Sequence, residues 1–205
     1  MKPVLRLATV LSLIVLFANC EEEPEINPNE PVDIPDQGFL AALIEVGLDT
    51  DDDGKISYAE AYAVDTLVIY GTWEIIDLTG IEAFINLQSL FMDGTDVSEI
   101  NLSKNTKLEE LIFRKRPNCC LPIIGEGHLE TIDISENQML KTLVIANQKI
   151  SHLDISNNIL LTAISIDDNP DLAQVCVWTM PFPPAGVEVD SHGSANVHFT
   201  TDCNN

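Results

Sequence analysis

Residues Asp49 to Glu60 read DTDDDGKISYAE. Side-chain oxygens stand at the first, third, fifth, ninth and twelfth places of this segment, on Asp49, Asp51, Asp53, Ser57 and Glu60. Lys55, at the seventh place, offers its backbone carbonyl, and Gly54, at the sixth, lets the chain turn sharply. Four carboxylates held so close repel one another unless a cation lies among them. A hard cation that accepts six to eight oxygens in a flexible ring suits this set, and calcium is that cation. The alternative reading is an acidic helix N-terminus that holds no metal.

The spacing resembles an EF-hand loop at every ligand position. The resemblance implies one calcium ion held by Asp49, Asp51, Asp53, the Lys55 carbonyl, Ser57 and Glu60, with Ile56 turned to the core. Ala61 stands where the exiting helix usually carries a large apolar residue, and the sequence holds no second loop of this kind. A structural ion therefore fits better than a cooperative sensor. An affinity of only ~10⁻⁴–10⁻³ M would suffice outside a cell.

A helix must deliver the chain into this loop. Asp36 is a natural N-cap, and Phe39, Leu40, Leu43 and Ile44 share one helical face over the following residues. A short second helix is expected from Ser57. Together, residues 37–63 form a helix–calcium loop–helix unit.

From residue 64 the pattern apolar-x-x-apolar-x-apolar recurs. It appears at Val64-Leu67-Ile69, Leu87-Leu90-Met92, Val97-Ile100-Leu102 and Leu108-Leu111-Phe113. It returns at Leu129-Ile132-Ile134, Leu140-Leu143-Ile145, Ile150-Leu153-Ile155, Leu161-Ile164-Ile166 and Leu172-Val175-Val177. Successive starts are mostly 10 or 11 residues apart, so a full unit is 21. This is the signature of a leucine-rich-repeat solenoid: parallel strands in stacked 21-residue coils over residues 64–180. Asn105, Asn137, Asn158 and Asn169 each follow the last apolar step by three residues. An amide there can satisfy the backbone of a neighbouring coil. A solenoid exposes an apolar edge at its first coil, which the unit at 37–63 is placed to cap. At the other end, Cys176 and Cys203 are placed to fasten a capping tail, residues 181–205, by a disulfide.

The repeat breaks once, after Phe113, at RKRPNCCLPIIGEGH. Keeping phase requires an insertion of about 11 residues, near 114–124. Arg114, Lys115 and Arg116 bring three positive charges to an acidic chain. They either steer an acidic partner or balance Glu109 and Glu110. Cys119 and Cys120 are adjacent, and their spacing does not suit a zinc site. Residues between the two inward positions of each strand point outward. One such row is Phe91, Ile112, Val144 and Ser165; another is Asn101, Asp133 and Asp154. An outward apolar row of Phe91, Ile112 and Val144 beside Arg114, Lys115 and Arg116 predicts a face that binds a protein partner. The insertion folding back over Phe91 and Ile112 is the competing reading.

The 205 residues carry 33 acids against 10 bases, a formal charge of −23. Such a field excludes nucleic acid and anionic membrane surfaces as electrostatic partners. Lys2 and Arg6 precede the apolar run Leu7 to Ala18, too short to span a bilayer, which needs about 20 residues. With the following Asn19-Cys20 this resembles a bacterial lipoprotein signal over residues 1–19, which implies that Cys20 is lipidated. Removing residues 1–19 leaves 8 bases and 33 acids, or −25. Residues 20–36, acidic and rich in Pro, are expected to form an extended tether reaching roughly 50 Å. LTGIEAFINLQSL resembles the opening coil of internalin-like repeats. The whole arrangement resembles bacterial surface lipoproteins in which a single EF-hand-like loop precedes such repeats.

The resemblance implies a non-enzymatic lipoprotein at the outer membrane or cell surface, presenting its solenoid for protein contact or adhesion. A glycan-binding accessory lipoprotein is the alternative. Sugar platforms need exposed aromatic rings, and only Tyr70, Trp73 and Trp178 lie outside obvious core steps. No histidine stands at motif spacing to a nucleophile, so no enzymatic site is expected.

If Cys20 carries the anchor, Cys20→Ala should move the protein from the membrane fraction to the soluble one. Retention of the variant on carbonate-washed membranes would refute the anchor.

Overall fold

The computed structural model describes residues 27–70, 74–115 and 127–203. Cys20, Trp73, Arg116, Cys119 and Cys120 lie outside the described residues, as does most of the insertion. The chain is a leucine-rich solenoid of parallel strands behind a helix–loop–helix cap. Among the described residues, two helices, α1 (Gln37–Glu45) and α2 (Tyr58–Ala63), precede eleven strands.

The strands alternate between two faces. β1 (Thr66–Tyr70), β2 (Ser89–Asp93), β4 (Glu110–Arg114), β6 (Thr142–Ala146), β8 (Ala163–Ser165) and β10 (Glu188–Asp190) form one parallel sheet in that order. The other face is built from β3 (Glu99–Asn101) beside β5 (Thr131–Asp133), and from β7 (His152–Asp154), β9 (Gln174–Cys176) and β11 (His198–Thr200). Every apolar step in the sequence places its middle residue within a strand, from Leu67 in β1 to Val175 in β9. Leu67, Leu90, Leu111, Leu143 and Ile164 stack in register, and all are buried. No coil closes a core of its own; burial comes from the neighbour above and below.

Register fixes the size of the interruption. Ser89 pairs with Glu110 and Thr142 with Ala163, each one full coil further along the chain. Glu110 pairs with Thr142 and Glu99 with Thr131, each a coil and a half further along. Both sheets therefore skip the same half coil, between β4 and β5.

The corners are held by buried amides. Asn105 Nδ2 donates to the carbonyls of Ile81 and Phe84 at 2.9 and 3.0 Å. Asn137 donates to Leu102 and Asn105 at 3.0 and 2.8 Å, and Asn158 to Ile134 and Asn137 at 3.0 and 2.9 Å. Asn169 serves the opposite edge. It donates to Ile145 and accepts from Gln148 N, while its own N–H donates to the Ser194 hydroxyl.

The cap is joined to the first coil by one carboxylate. Asp36 Oδ1 accepts from Phe39 N at 2.8 Å, capping α1. Its Oδ2 accepts from Ile76 N and Asp77 N at 2.9 and 3.0 Å. Burial pushes the Asp36 carboxyl up, but these backbone donors together outweigh it and hold the group below its usual range. Gly38 permits the approach, since a Cβ there would meet Glu74 O at 2.6 Å. Phe39, Leu43 and Ile56 close the core beneath, fully buried.

Two segments expected to lie outside the solenoid core belong to it. Val32 and Ile34 are buried, and the carbonyls of Pro28 and Glu30 accept from Ala59 N and Tyr58 N. Residues 28–36 therefore belong to the folded unit rather than to an extended tether, because two apolar side chains among the prolines find a place beneath the cap. At the other end, residues 181–203 do more than cap. Glu188–Asp190 and His198–Thr200 add a further coil, and Phe182 packs between Trp178 and Phe199 at ring distances of 5.3 and 5.0 Å.

Asn137→Asp keeps the shape of the side chain but removes both donors, stranding two buried carbonyls. At about 1–3 kcal/mol for each unsatisfied group, urea unfolding should show a loss of about 2–6 kcal/mol. Asn157→Asp, on an exposed neighbour, should change stability by less than about 0.5 kcal/mol. Equal effects at the two positions would show that the ladder does not carry the stacking.

Candidate functional site

In the loop, burial of Ile56 pins one side, and its carbonyl accepts from Val32 N at 2.7 Å. The chain then turns through Asp52 and Gly54, both at positive φ. This turn aims backbone donors at the first acids. Asp49 accepts from Asp53 N at 3.1 Å and from Gly54 N at 2.9 Å, and Asp53 accepts from Lys55 N at 2.8 Å. One oxygen from each of Asp49, Asp51 and Asp53 lies within 4.8 Å of the others. The crowding shows in Asp51, whose carboxyl is pushed up first by lost hydration, then by the charge of Asp53, against a donor from the Asp53 backbone.

Glu60 is held differently. Its Oε2 accepts from Ser57 N and Ser57 Oγ, both at 2.8 Å, closing a capping box at the start of α2. Its Oε1 accepts from Thr50 N and Thr50 Oγ1 at 2.6 and 2.7 Å. Against the upward push of burial, these donors hold its carboxyl down at about 2. Ligand spacing alone does not point to Thr50, because its place in the loop is not a ligand position. All four acceptor directions of Glu60 are used, so coordination there requires the two hydroxyls to turn away.

The outward row lies on the six-stranded sheet. Val68, Phe91, Ile112 and Val144 stand opposite one another on β1, β2, β4 and β6, with Ser165 and Asp190 continuing on β8 and β10. Val68 extends the row by one strand, and the alternation in TLVIY carries that signal. Tyr70 adds a ring 5.4 Å from that of Phe91 and is exposed. Beyond Val144 the side chains shrink to Ala163 and Ser165, which leaves a depression of about 280 Å³ bordered by Glu188 and Asp190.

Among the described residues, the two bases beside this row, Arg114 and Lys115, are both paired. Arg114 Nε lies 3.3 Å from Asp93 Oδ2, its partner in register, and its guanidinium sits 4.9 Å over the Phe91 ring. Lys115 is paired with Asp96, which also contacts His128 Nδ1 at 3.0 Å. Hydrogen bonding from Lys115 holds the Asp96 carboxyl below its usual range. Glu109 pairs instead with Lys141 at 2.6 Å, and Glu110 accepts from Ser89 Oγ at 2.8 Å. Balancing is thus real but reaches across coils, to Asp93 and Asp96 rather than to the sequence neighbours Glu109 and Glu110.

The second outward row is committed to turns. Asn101, Asp133 and Asp154 each accept, through Oδ1, the backbone N–H two residues on, at 2.9, 3.0 and 2.9 Å. Cys176 and Cys203 are joined as a disulfide with Cα atoms 5.6 Å apart, fastening the chain after β11 onto β9. No helix among the described residues is long and apolar enough to cross a membrane.

No protein-family model and no curated protein matches the chain. Among solved structures it is similar to the functional domain of InlJ from Listeria monocytogenes, which includes a cysteine ladder. The identity is 18%, over 85% of this chain and 48% of that one, with a TM-score of 0.46. Internalin C2 of the same organism aligns with 85% of this chain and 99% of its own, at 14% identity and a TM-score of 0.29. A structure of the CBM51-2 and INT domains of Clostridium perfringens ZmpB, in complex with GlcNAc, is 31% identical over 42% of this chain, with a TM-score of 0.37. The chain spans about half of the InlJ chain and 18% of the ZmpB chain.

Proposed function

We propose that this protein is a non-enzymatic binding module of the bacterial surface. It is lipid-anchored through Cys20 at the outer membrane, and it offers the outward face of its six-stranded sheet to a protein partner. One observation carries the reading: Val68, Phe91, Ile112 and Val144 form a continuous apolar row on the outside of a sheet whose core is already complete. Apolar side chains in file on an outer surface favour contact with another surface. Arg114 stacked on Phe91 supplies a cation held in a fixed place, and Arg is a frequent anchor at interfaces. The steering role belongs less to the bases than the charge count suggests, because Arg114 and Lys115 are paired. A glycan reading draws on the Tyr70–Phe91 ring pair, the one aromatic platform on this face among the described residues.

The cap would hold one structural calcium ion. The donors fit: three carboxylates converge on one point, and all ligands are hard oxygens. Lost hydration, joined by the closeness of Asp53, Glu60 and Asp49, disfavours the charged form of Asp51. When bound, the ion would supply the positive charge that the loop lacks. Asp49, Asp51, Asp53, the Lys55 carbonyl, Ser57 and Glu60 would hold it.

Saturating calcium should raise thermal stability by mass action. For about 1 mM calcium and an affinity of ~10⁻⁴–10⁻³ M, the gain is roughly 0.4–1.4 kcal/mol. Asp51→Asn should lose most of it. Calorimetry that detects no uptake at millimolar calcium removes the ion from this account.

For the binding face, the protein is presented in parallel to a glycan array and to surface proteins of neighbouring cells. Ile112→Glu should leave the fold intact and speed dissociation from a captured protein at least about tenfold. Capture unchanged in both Ile112→Glu and Phe91→Glu would place binding on another face. Sugar binding lost in Tyr70→Ala would favour the glycan reading instead.

A further inference from the structure

The C-terminal clasp gathers more donors than a disulfide needs. β7 and β9 are parallel neighbours, with Asp154 opposite Cys176 and His152 opposite Gln174. His152 and Asp154 are exposed, on the outward side of β7. Sulfur atoms of Cys176 and Cys203 and a carboxylate oxygen of Asp154 all lie within 4.8 Å of one another. His152 Nε2 lies 3.7 Å from Cys176 Sγ. One Asp154 oxygen accepts from Ser156 N at 2.9 Å, and a carboxylate has a second oxygen to offer.

We propose that, once its disulfide is reduced, this clasp is a metal site for zinc or a chemically similar divalent ion, bound by Cys176, Cys203, His152 and Asp154. Two thiolates, one imidazole and one carboxylate make a four-donor set of the kind that selects zinc. The spacing agrees. With zinc–sulfur bonds near 2.3 Å and zinc–nitrogen bonds near 2.0 Å, a tetrahedron has a sulfur–nitrogen edge of about 3.5 Å and a sulfur–sulfur edge of about 3.8 Å. The imidazole nitrogen already stands close to its edge distance from Cys176, so the main change is separation of the two sulfurs. Cys203 lies three residues beyond β11, where the strand ladder does not hold it.

The chemistry balances. A dithiol reductant gives two electrons and two protons to the Cys176–Cys203 bond and becomes a disulfide itself. The divalent ion then displaces both thiol protons and binds two thiolates, with Nε2 of His152 unprotonated. The C-terminal coil would thus stay fastened in both redox states, by a sulfur–sulfur bond in one and by a sulfur–metal–sulfur bridge in the other. This proposal does not depend on the partner-binding face or on the calcium loop.

The test uses the full chain in detergent, oxidised or reduced with a phosphine and desalted without oxygen, and titrated with cobalt(II) and then zinc. The reduced protein should take up one cobalt per chain, with a thiolate-to-cobalt charge-transfer band and the strong visible bands of a tetrahedral site. Zinc should displace it, and the oxidised protein should show neither band. His152→Ala, at an exposed position that leaves the fold intact, should weaken zinc binding at least about tenfold, since even outer partners of a metal ligand are worth about 10–100-fold. A Cys119→Ser/Cys120→Ser double variant should bind as the parent does. A reduced protein without thiolate–cobalt bands would overturn the proposal. So would bands that persist undiminished in His152→Ala, or that vanish in the Cys119/Cys120 variant.

Discussion

A solenoid must satisfy the peptide groups at its corners without bringing water into its core, and this requirement governs the rest of the molecule. Strand ladders take care of the flat faces, but a corner leaves carbonyls pointing inward along the stack. Asn105, Asn137 and Asn158 each reach to two carbonyls of the preceding coil, and all three are fully buried. Such a bond works only when the next coil arrives in phase. Phase explains why the interruption after β4 shifts both sheets by the same half coil. Asn137 still finds Leu102 and Asn105 across that interruption. The stacking register on either side of the interruption is therefore the same.

How much of this is legible in the sequence depends on whether the signal is periodic. The middle residue of every apolar step, from Leu67 to Val175, lies in a strand, because inward apolar residues are both the code and the core. The last coil is hidden because Gly186 and Asn196 stand in the leading apolar positions before Val189 and Phe199. Val32 and Ile34 are hidden by their acidic, Pro-rich neighbourhood, where composition averages over two side chains that find a hydrophobic seat. Pairing of Arg114 with Asp93 is readable in principle: the two stand one full coil apart, so the repeat itself places them side by side. Sequence proximity points to Glu109 and Glu110 instead, and in a solenoid proximity along the chain is the poorer guide. The loop acids are legible from spacing, but the hold of Thr50 on Glu60 is not.

The two ends show how differently an open stack can be closed. At the front, closure is polar and local: the Asp36 carboxylate ties the N-terminus of α1 to the backbone of residues 76 and 77. The loop that follows packs its one apolar residue, Ile56, inward and leaves its acids in water. At the back, closure is apolar and covalent, with Trp178, Phe182 and Phe199 in contact and Cys203 bonded to Cys176. The proposed calcium ion would therefore act on the acidic front and, while the disulfide is intact, leave the aromatic back unchanged.

Between those ends, the outward residues divide by what they already do. Asn101, Asp133 and Asp154 close the turns that follow their strands, and Asp93 and Asp96 hold Arg114 and Lys115. Their charges look like recognition elements in the sequence, yet each is engaged within the fold. Val68, Ile112 and Val144 stand in the opposite position. Removing them would cost the core nothing, because the inward neighbours Leu67, Leu111 and Leu143 already fill it. Outward apolar side chains that the fold does not need are held against the hydration cost of exposing them. That asymmetry, rather than any charge on this acidic surface, is the physical ground for proposing a partner-binding face on the six-stranded sheet.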